Sequence, residues 1–236
     1  MRLDTYTVRA RLLPALITAL PLASALAAAL AEVARWWSAT LGLAMLTASA
    51  YFLTQVARDV GKRREPELFE RWGGRPTTIQ LRHTGPTNPT TLARRHQKLS
   101  GLVPELEFPT AGEEAADPVQ ADEAYDSAVE FLLAQTRDRD KYPLVFEENC
   151  NYGFRRNLWA LKPWGIAVAI VGLSAGAATA WIAIMSSVDM ILGPALAASA
   201  VSAIALVGWV TIVNDAWVRH GGDAYAGALL GAIDRL

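Results

Sequence analysis

Uncharged apolar stretches near both ends of the chain constrain its fold most strongly. Residues 163–187 contain no charged side chain, and a helix of about 20 apolar residues crosses the hydrocarbon core of a bilayer. Three more uncharged stretches lie at 12–31, 36–57 and 190–213. The sequence therefore predicts four transmembrane helices, the third of them at 163–185.

The spacing of these stretches predicts two helical hairpins around a charged middle. Residues 32–35 separate the first pair and residues 186–189 the second pair, and connections this short join antiparallel neighbours. The predicted fold class is an all-α membrane protein whose two transmembrane hairpins flank a cytoplasmic α-helical domain. The predicted domains are the N-terminal hairpin (1–57), the cytoplasmic domain (58–162), the C-terminal hairpin (163–213) and a cytoplasmic amphipathic tail (214–236).

The placement of lysine and arginine predicts the orientation. Of the 22 Lys and Arg residues, only Arg35 lies in a short hairpin turn, and cytoplasmic segments carry the positive excess in membrane proteins. Both termini and the middle domain are therefore expected in the cytoplasm, with the hairpins in a bacterial inner membrane. A cleaved secretory signal is the competing interpretation of the first stretch, but that stretch is long and a second follows at once.

Composition and missing motifs exclude several function classes. The formal net charge of -1 gives no overall attraction to nucleic acid. Cys150 is the one cysteine, so no disulfide forms within the chain. The sequence lacks phosphate-loop, zinc-protease and serine-hydrolase motifs, so we expect no enzyme activity, cofactor or metal. The predicted spans carry no charge at mid-depth, which argues against an ion-coupled pump.

Turn signals alternate with helical patches in the middle domain. Pro66 is expected to end the helix that follows the second span. Residues 104–117 are rich in Pro, Glu and Ala and are expected to form a mobile surface loop. The acidic pairs at 113–114 and 147–148 are expected to face solvent. His83 and His96 are too isolated to suggest metal ligands.

A basic cluster in this domain is the candidate ligand site. Guanidinium groups match the oxygen geometry of phosphate, so the cluster favours a phosphate or nucleotide ligand, and the alternative is a solvated helix face. Its members are Arg75, Arg82, Arg94, Arg95, His96 and Lys98.

A second polar group precedes the third span. It could line the vestibule of a pore or transmit a domain movement. The alternative is anchoring to lipid head groups, where each basic residue contributes about 1 kcal/mol. Its members are Asn151, Tyr152, Arg155 and Arg156.

Small residues and domain size predict self-association. Gly172, Gly176 and Ala180 form a GxxxGxxxA face, which supports close helix contact in membranes. A middle domain of about 100 residues is small for a self-sufficient core, and packing against other copies would bury more of its surface. We therefore expect a homo-oligomer.

Four segments carry a resemblance to known proteins: WGGRPTTIQLRH (72–83), LARRH (92–96), DEAYDSAVEFLLAQTRD (122–138) and FEENCNYGFRRNLWALKP (146–163). They resemble an uncharacterised family of bacterial four-span membrane proteins, and the layout is similar to that of the Hailong-type membrane channel effectors of antiphage defence. The resemblance implies a tetrameric ion channel held in check by short deoxyadenylate oligomers, a partner nucleotidyltransferase that makes them, and the basic surface as the ligand site.

Two functions remain open at this point. The first is a homo-oligomeric membrane channel or pore-forming effector that is gated through its cytoplasmic domain, by a nucleotide ligand in antiphage defence. The alternative is a non-conducting membrane scaffold that recruits a cytosolic partner.

Reporter fusions test the predicted orientation. A fluorescent reporter that matures only in the cytoplasm should be active at either terminus, because the positive excess keeps both ends there. A phosphatase that is active only in the periplasm should be silent at both. Opposite signals at the two termini would require an odd number of spans and would contradict the four-span layout.

Overall fold

The computed structural model describes residues 4–29, 39–103 and 105–236, with the side chains of all of these except 29, 39–51 and 53. The described residues form helices and turns and contain no strand, so the all-α fold is confirmed. The helices are α1 (Leu13–Ala29), preceded by a π-helical segment (Thr7–Leu12), α2 (Ala39–Trp72), α3 (Pro76–Ile79), α4 (Pro89–Leu102), α5 (Ala111–Ala116), α6 (Pro118–Gln135), α7 (Pro143–Met185), α8 (Asp189–Thr211) and α9 (Asp215–Gly231), followed by a short 3₁₀ helix (Ala232–Arg235).

The described part of the chain contains three helices that are long and apolar enough to cross a membrane. They are Thr7–Ala28, Pro143–Met185 and Asp189–Thr211, and they support a membrane protein. The predicted second span, 36–57, begins outside the described residues and is helical from residue 39 onwards. Residues 30–35, which include the end of the first predicted span and the first turn, also lie outside the described residues, so the four-span layout stays a prediction.

The chain divides into two compact units. One, here named the span unit, consists of the residues up to 64 and of 153–218; the other, here named the charged unit, consists of 65–152 and 219–236. The charged unit begins later and ends earlier than the predicted cytoplasmic domain. It also includes most of the segment predicted as an amphipathic tail, for a reason that its core makes clear.

Small side chains bring the helices of the span unit together. Helix α1 packs against α8, and Gly172 of α7 faces both of them. A Cβ placed on Gly172 would lie 2.8 Å from the carbonyl oxygen of Pro21 and 2.8 Å from the hydroxyl of Ser202. Gly176 faces α8 in the same way, and Ala180 is buried. The predicted helix-contact face therefore packs against helices of the same chain.

The outward surface of the span unit is apolar. Trp164 and Trp181 are 66 % and 65 % exposed, and at about 1.5 Å per residue they lie about 26 Å apart along α7. That separation is close to the thickness of a hydrocarbon core, and tryptophans mark its two interfaces. Other exposed large apolar side chains include Leu16, Leu20, Leu26, Ile170, Val171, Ile182, Leu196, Ile204 and Val207. Lipid accommodates such a surface, whereas water opposes it.

Helix α2 continues past Pro66, so the expected stop at this proline is wrong. Proline removes one helical hydrogen bond, but the following turns are held by burial, since Leu68 is fully buried and Trp72 nearly so. The helix ends instead at Gly73 and Gly74, whose φ angles of 77° and 140° are open to glycine without strain.

The core of the charged unit explains why the C-terminal segment belongs to it. One apolar cluster is shared by residues from the turn after α3, from α4 and α6, from the start of α7 and the residue before it, and from the end of α9 and the 3₁₀ helix that follows. Its largest members are Leu81, Leu99, Tyr125, Leu132, Tyr142, Leu229, Leu230 and Ile233. The segment 214–236 therefore contributes apolar side chains of its second half to the core of the charged unit.

The expected surface loop at 104–117 is wrong in part, because it contains α5. The side chain of Thr110 accepts from the Glu113 N–H, and the Glu113 carboxylate accepts from the Thr110 N–H at 2.8 Å. This capping box satisfies two backbone donors at the start of the helix. It also fixes the direction of the residue that follows, Glu114.

Two glycine-to-alanine variants test the packing of the span unit. Gly172→Ala places a methyl group against backbone atoms of α1, so we expect the free energy of unfolding to fall by about 1–3 kcal/mol. Gly208→Ala is the matched control, because nothing lies within 4 Å of a Cβ at that position and alanine favours a helix by about 1 kcal/mol over glycine. Thermal unfolding in detergent should show a lower midpoint only for Gly172→Ala; equal midpoints would contradict the close packing.

Candidate functional site

Arg75 and Arg82 border one cavity of the charged unit, with a volume of about 370 Å³. Arg82 donates its Nε–H to an oxygen of Asp122 at 2.8 Å and an Nη1–H to the carbonyl of Gly73 at 2.8 Å. Arg75 forms an ion pair with Asp126 at 3.1 Å. Both predicted arginines are therefore held by acidic side chains of α6.

The two ion pairs differ in how firmly they are held. The side chains of Arg82 and Asp122 are 22 % and 29 % exposed, whereas that of Arg75 is 51 % exposed. The hydrogen bond to Asp122 raises the pKa of the Arg82 guanidinium. A half-exposed pair is worth at most about 1 kcal/mol, so an anion can compete with Asp126 for Arg75. Of the two arginines, Arg75 is therefore the one whose ion pair a ligand can displace with the smaller loss of free energy.

Arg75 also borders a second, apolar cavity of about 230 Å³. The rings of Tyr152 and Tyr225 lie parallel within 5°, with centroids 6.2 Å apart. The hydroxyl of Tyr152 donates to the carboxylate of Glu65 at 2.9 Å. The remaining lining residues are Phe69, Pro76, Thr77, Val129, Leu133, Gly222 and Leu229. Aromatic, carboxylate and guanidinium groups thus meet at one place.

The other four residues of the predicted basic cluster lie elsewhere. Arg94 and Lys98 pair with Asp234 at 3.4 and 3.0 Å, and the hydrogen bond from Lys98 lowers the pKa of that carboxyl. Burial, followed by repulsion from Arg94, lowers the pKa of Arg95. Neither of the two cavities at Arg75 is lined by Arg94, Arg95, His96 or Lys98.

His96 turns away from this basic surface. Its ring stacks on Phe108, with centroids 4.3 Å apart, and its Nε2 lies 2.8 Å from the carbonyl oxygen of Leu81. Burial lowers the pKa of His96. The structure therefore divides the six predicted residues into a cavity pair, a group paired with or facing Asp234, and an inward-facing histidine.

The predicted vestibule residues also separate. Tyr152 lines the apolar cavity, and the amide of Asn151 donates to Glu148 at 3.3 Å. Arg155 donates to the carbonyl of Trp217 at 3.0 Å. Arg156 is buried, and its guanidinium donates to the neighbouring Asn157 side chain at 3.3 Å.

Glu114 is the side chain that sequence reasoning placed most wrongly, because it is buried and does not face solvent. Its carboxylate accepts from the Tyr125 hydroxyl at 2.6 Å, from the His83 N–H at 2.7 Å, and from the N–H and hydroxyl of Thr84 at 3.1 and 2.9 Å. This anion ties the turn after α3 to α5 and α6. The capping box at 110–113, which fixes the start of α5, was the available signal.

Burial and hydrogen bonding act in opposite directions on Glu114. Burial raises the pKa of this carboxyl, but the hydrogen bonds from Tyr125, His83 and Thr84 outweigh it, and the pKa falls from 4.5 to about 2. Burial, together with the bond to Glu114, raises the pKa of Tyr125. Both groups therefore keep one charge state, which indicates a structural anchor and not a proton-transfer site.

His83 and His96 are closer than their sequence separation suggested, with ring centroids 5.3 Å apart. The Nε2 of His83 already lies 2.9 Å from the carbonyl oxygen of Pro109. Among the described residues, no group of three His, Cys, Asp or Glu side chains is placed to hold a metal ion. Cys150 is buried.

The fold and site define an all-helical protein with candidate membrane spans and a ligand-sized cavity beside an exposed arginine. Comparison with family models, with curated proteins and with solved structures gives no match.

Replacement of Glu114 tests the anchor. The carboxylate of Glu114 accepts four hydrogen bonds, and the amide of Gln has only one accepting oxygen. We therefore expect Glu114→Gln to lower the free energy of unfolding by about 1–3 kcal/mol at neutral pH. Because the folded-state pKa is depressed, the stabilisation by Glu114 is complete above about pH 4.5 and is lost as the pH falls towards 2, in total about 3 kcal/mol.

Thermal unfolding midpoints measured against pH provide the test. The wild type should lose stability steeply below pH 4.5, and Glu114→Gln should lose less over the same range. Glu130→Gln, which removes an exposed acid of α6, is the matched control and should follow the wild type. Parallel pH curves for Glu114→Gln and the wild type would contradict the assignment.

Proposed function

We propose that this protein is a homo-oligomeric membrane channel or pore-forming effector, gated through the charged unit by a nucleotide-class ligand. The proposal includes four spans with both termini and the charged unit on the cytoplasmic side of a bacterial inner membrane. A tetramer and a role in antiphage defence are the forms that the resemblance favours.

One observation carries the proposal: the apolar cavity is lined by residues of three helices that continue into the span unit. Glu65 and Phe69 belong to α2, Tyr152 belongs to α7, and Tyr225 belongs to α9. Each of these helices also contains residues of the span unit. A ligand in this cavity would contact the parts of the chain through which a change could reach the candidate spans.

The chemistry of the cavity supports a nucleotide. Tyrosine rings stack on nucleobases of any sequence, and a guanidinium binds phosphate oxygens. Arg75 borders both the apolar cavity and the cavity that Arg82 also borders. A base against Tyr225 with its phosphate at Arg75 would use both cavities and displace only the weaker ion pair.

Association of copies is supported by the surface of the span unit. Helix α7 exposes a face of small residues that includes Ser174, Ala175 and Ala178, and small faces let helices approach in lipid. Several described hydroxyls of the candidate spans donate to carbonyls of their own helices, as that of Thr179 does to Ala175 at 2.9 Å. An ion path along such helices would lie between copies of the chain.

A non-conducting scaffold is the second candidate, and a groove of about 460 Å³ favours it. Glu107, Glu113, Asp117 and Glu123 line this groove beside Phe108. Two of these acids already cap helices, and the set would suit a basic partner segment better than a nucleotide. Capture of a cytosolic partner without conductance would favour the scaffold.

Ligand binding is tested with a short deoxyadenylate oligomer as the probe and purified full-length protein in detergent. We expect Arg75→Glu to weaken binding by tenfold or more, because it removes the accessible cation and adds a negative charge. Asp126→Asn should strengthen binding by up to about fivefold, since it frees Arg75 from a pair worth at most about 1 kcal/mol. Arg137→Glu is the matched control, because it makes an equal charge change at an exposed residue that lines neither cavity. This variant should bind the oligomer like the wild type.

Conductance is tested with the same variants in planar bilayers. The wild type should conduct with a current that responds to the oligomer, and Arg75→Glu should conduct without responding. Absence of current with and without the oligomer would exclude the channel, and equal binding by Arg75→Glu and Arg137→Glu would exclude this ligand site.

A further inference from the structure

Three basic helical segments lie side by side in the span unit, and Asn157 contacts all three. Asn157 is fully buried, and its amide donates to the carbonyl of Ala10 in the N-terminal helix at 2.7 Å. A Cβ on Gly61 of α2 would meet the Asn157 side chain. This contact fixes the segments 4–11, 58–64 and 153–162 side by side.

These three segments, here named the basic end, have a large excess of positive charge. They contain nine basic and two acidic residues, although the chain as a whole carries a formal net charge of -1. Beyond the other ends of α7 and α8, the turn at 186–189 has one charged residue, Asp189. The basic members are Arg9, Arg11, Arg58, Lys62, Arg63, Arg64, Arg155, Arg156 and Lys162.

Aromatic rings position several of these cations. The guanidinium of Arg64 lies 4.3 Å from the ring centroid of Trp159, and that of Arg11 lies 5.2 Å from the ring of Tyr6. A ring face attracts a guanidinium electrostatically when the charge lies within about 6 Å of the ring centroid. Tyrosine and tryptophan also prefer the head-group level of a bilayer.

We propose that the basic end binds the phosphate head groups of anionic phospholipids, with their acyl chains on the exposed apolar surface of α7. The residue after Lys162 begins the uncharged stretch, and Trp164, Ile170 and Val171 are exposed there. A phosphodiester with two acyl chains matches cations directly followed by an apolar helix, whereas a free phosphate would leave that apolar surface uncovered. The inference does not depend on conductance, since a scaffold would use the same surface.

The test compares two triple variants of the full-length protein in nanodiscs. Arg11→Gln with Lys62→Gln and Arg63→Gln removes three cations of the basic end. Arg137→Gln with Arg139→Gln and Lys141→Gln removes three exposed cations of the charged unit and serves as the control. The number of retained lipids is measured by native mass spectrometry after exchange between phosphatidylglycerol and phosphatidylcholine.

The wild type and the control should prefer phosphatidylglycerol, and the basic-end variant should lose that preference by a factor on the order of 100, because each cation near an anionic surface contributes about fivefold. Unchanged thermal unfolding in phosphatidylcholine would show that the variant is folded. An equal preference in both triple variants would overturn the proposal. Competition by inorganic phosphate at millimolar concentration would overturn it too, because it would indicate a site for the free anion.

Discussion

The structure depends first on the cost of placing charge in hydrocarbon. A lipid core offers no water to satisfy polar groups, so the charged residues of this chain are confined to its middle and to the ends of its apolar helices. The span unit then packs through alanine, glycine and serine, because close approach, and not hydrophobic exclusion, holds helices together in lipid. Gly172 between Pro21 and Ser202 is the clearest instance.

Two buried polar side chains of this protein each join several elements. Asn157 joins three helices in the span unit, and Glu114 joins α5, α6 and the turn after α3 in the charged unit. A buried amide or carboxylate is costly when it is unpaired, so each such residue is useful only with its full set of partners. Neither residue lies in an apolar stretch: the sequence predicts that Glu114 faces solvent as part of an acidic pair, and Asn157 carries no charge that a search for charge clusters would find.

The sequence predicts the helical class and the apolar spans because both follow from local pattern. It fails at Pro66 and at residues 104–117, where burial of Leu68 and the capping box at Thr110 override a composition typical of a break or a loop. The sequence also does not predict which basic residues share a site. Arg75 and Arg94 share a charge but not a surface, because one lies before α3 and the other on α4, and only tertiary contacts decide which acids face them.

The geometry also sets a limit on how a ligand could act. A ligand shifts a conformational equilibrium only by its difference in affinity for the two states, so a cavity confined to one rigid element would transmit nothing. Here the lining residues are distributed over α2, α3, α6, α7 and α9. The hydrogen bond from Tyr152 to Glu65 joins α7 to α2 directly. Any change in their spacing alters both the cavity and that bond, which is the condition under which binding energy can be converted into a movement of the helices.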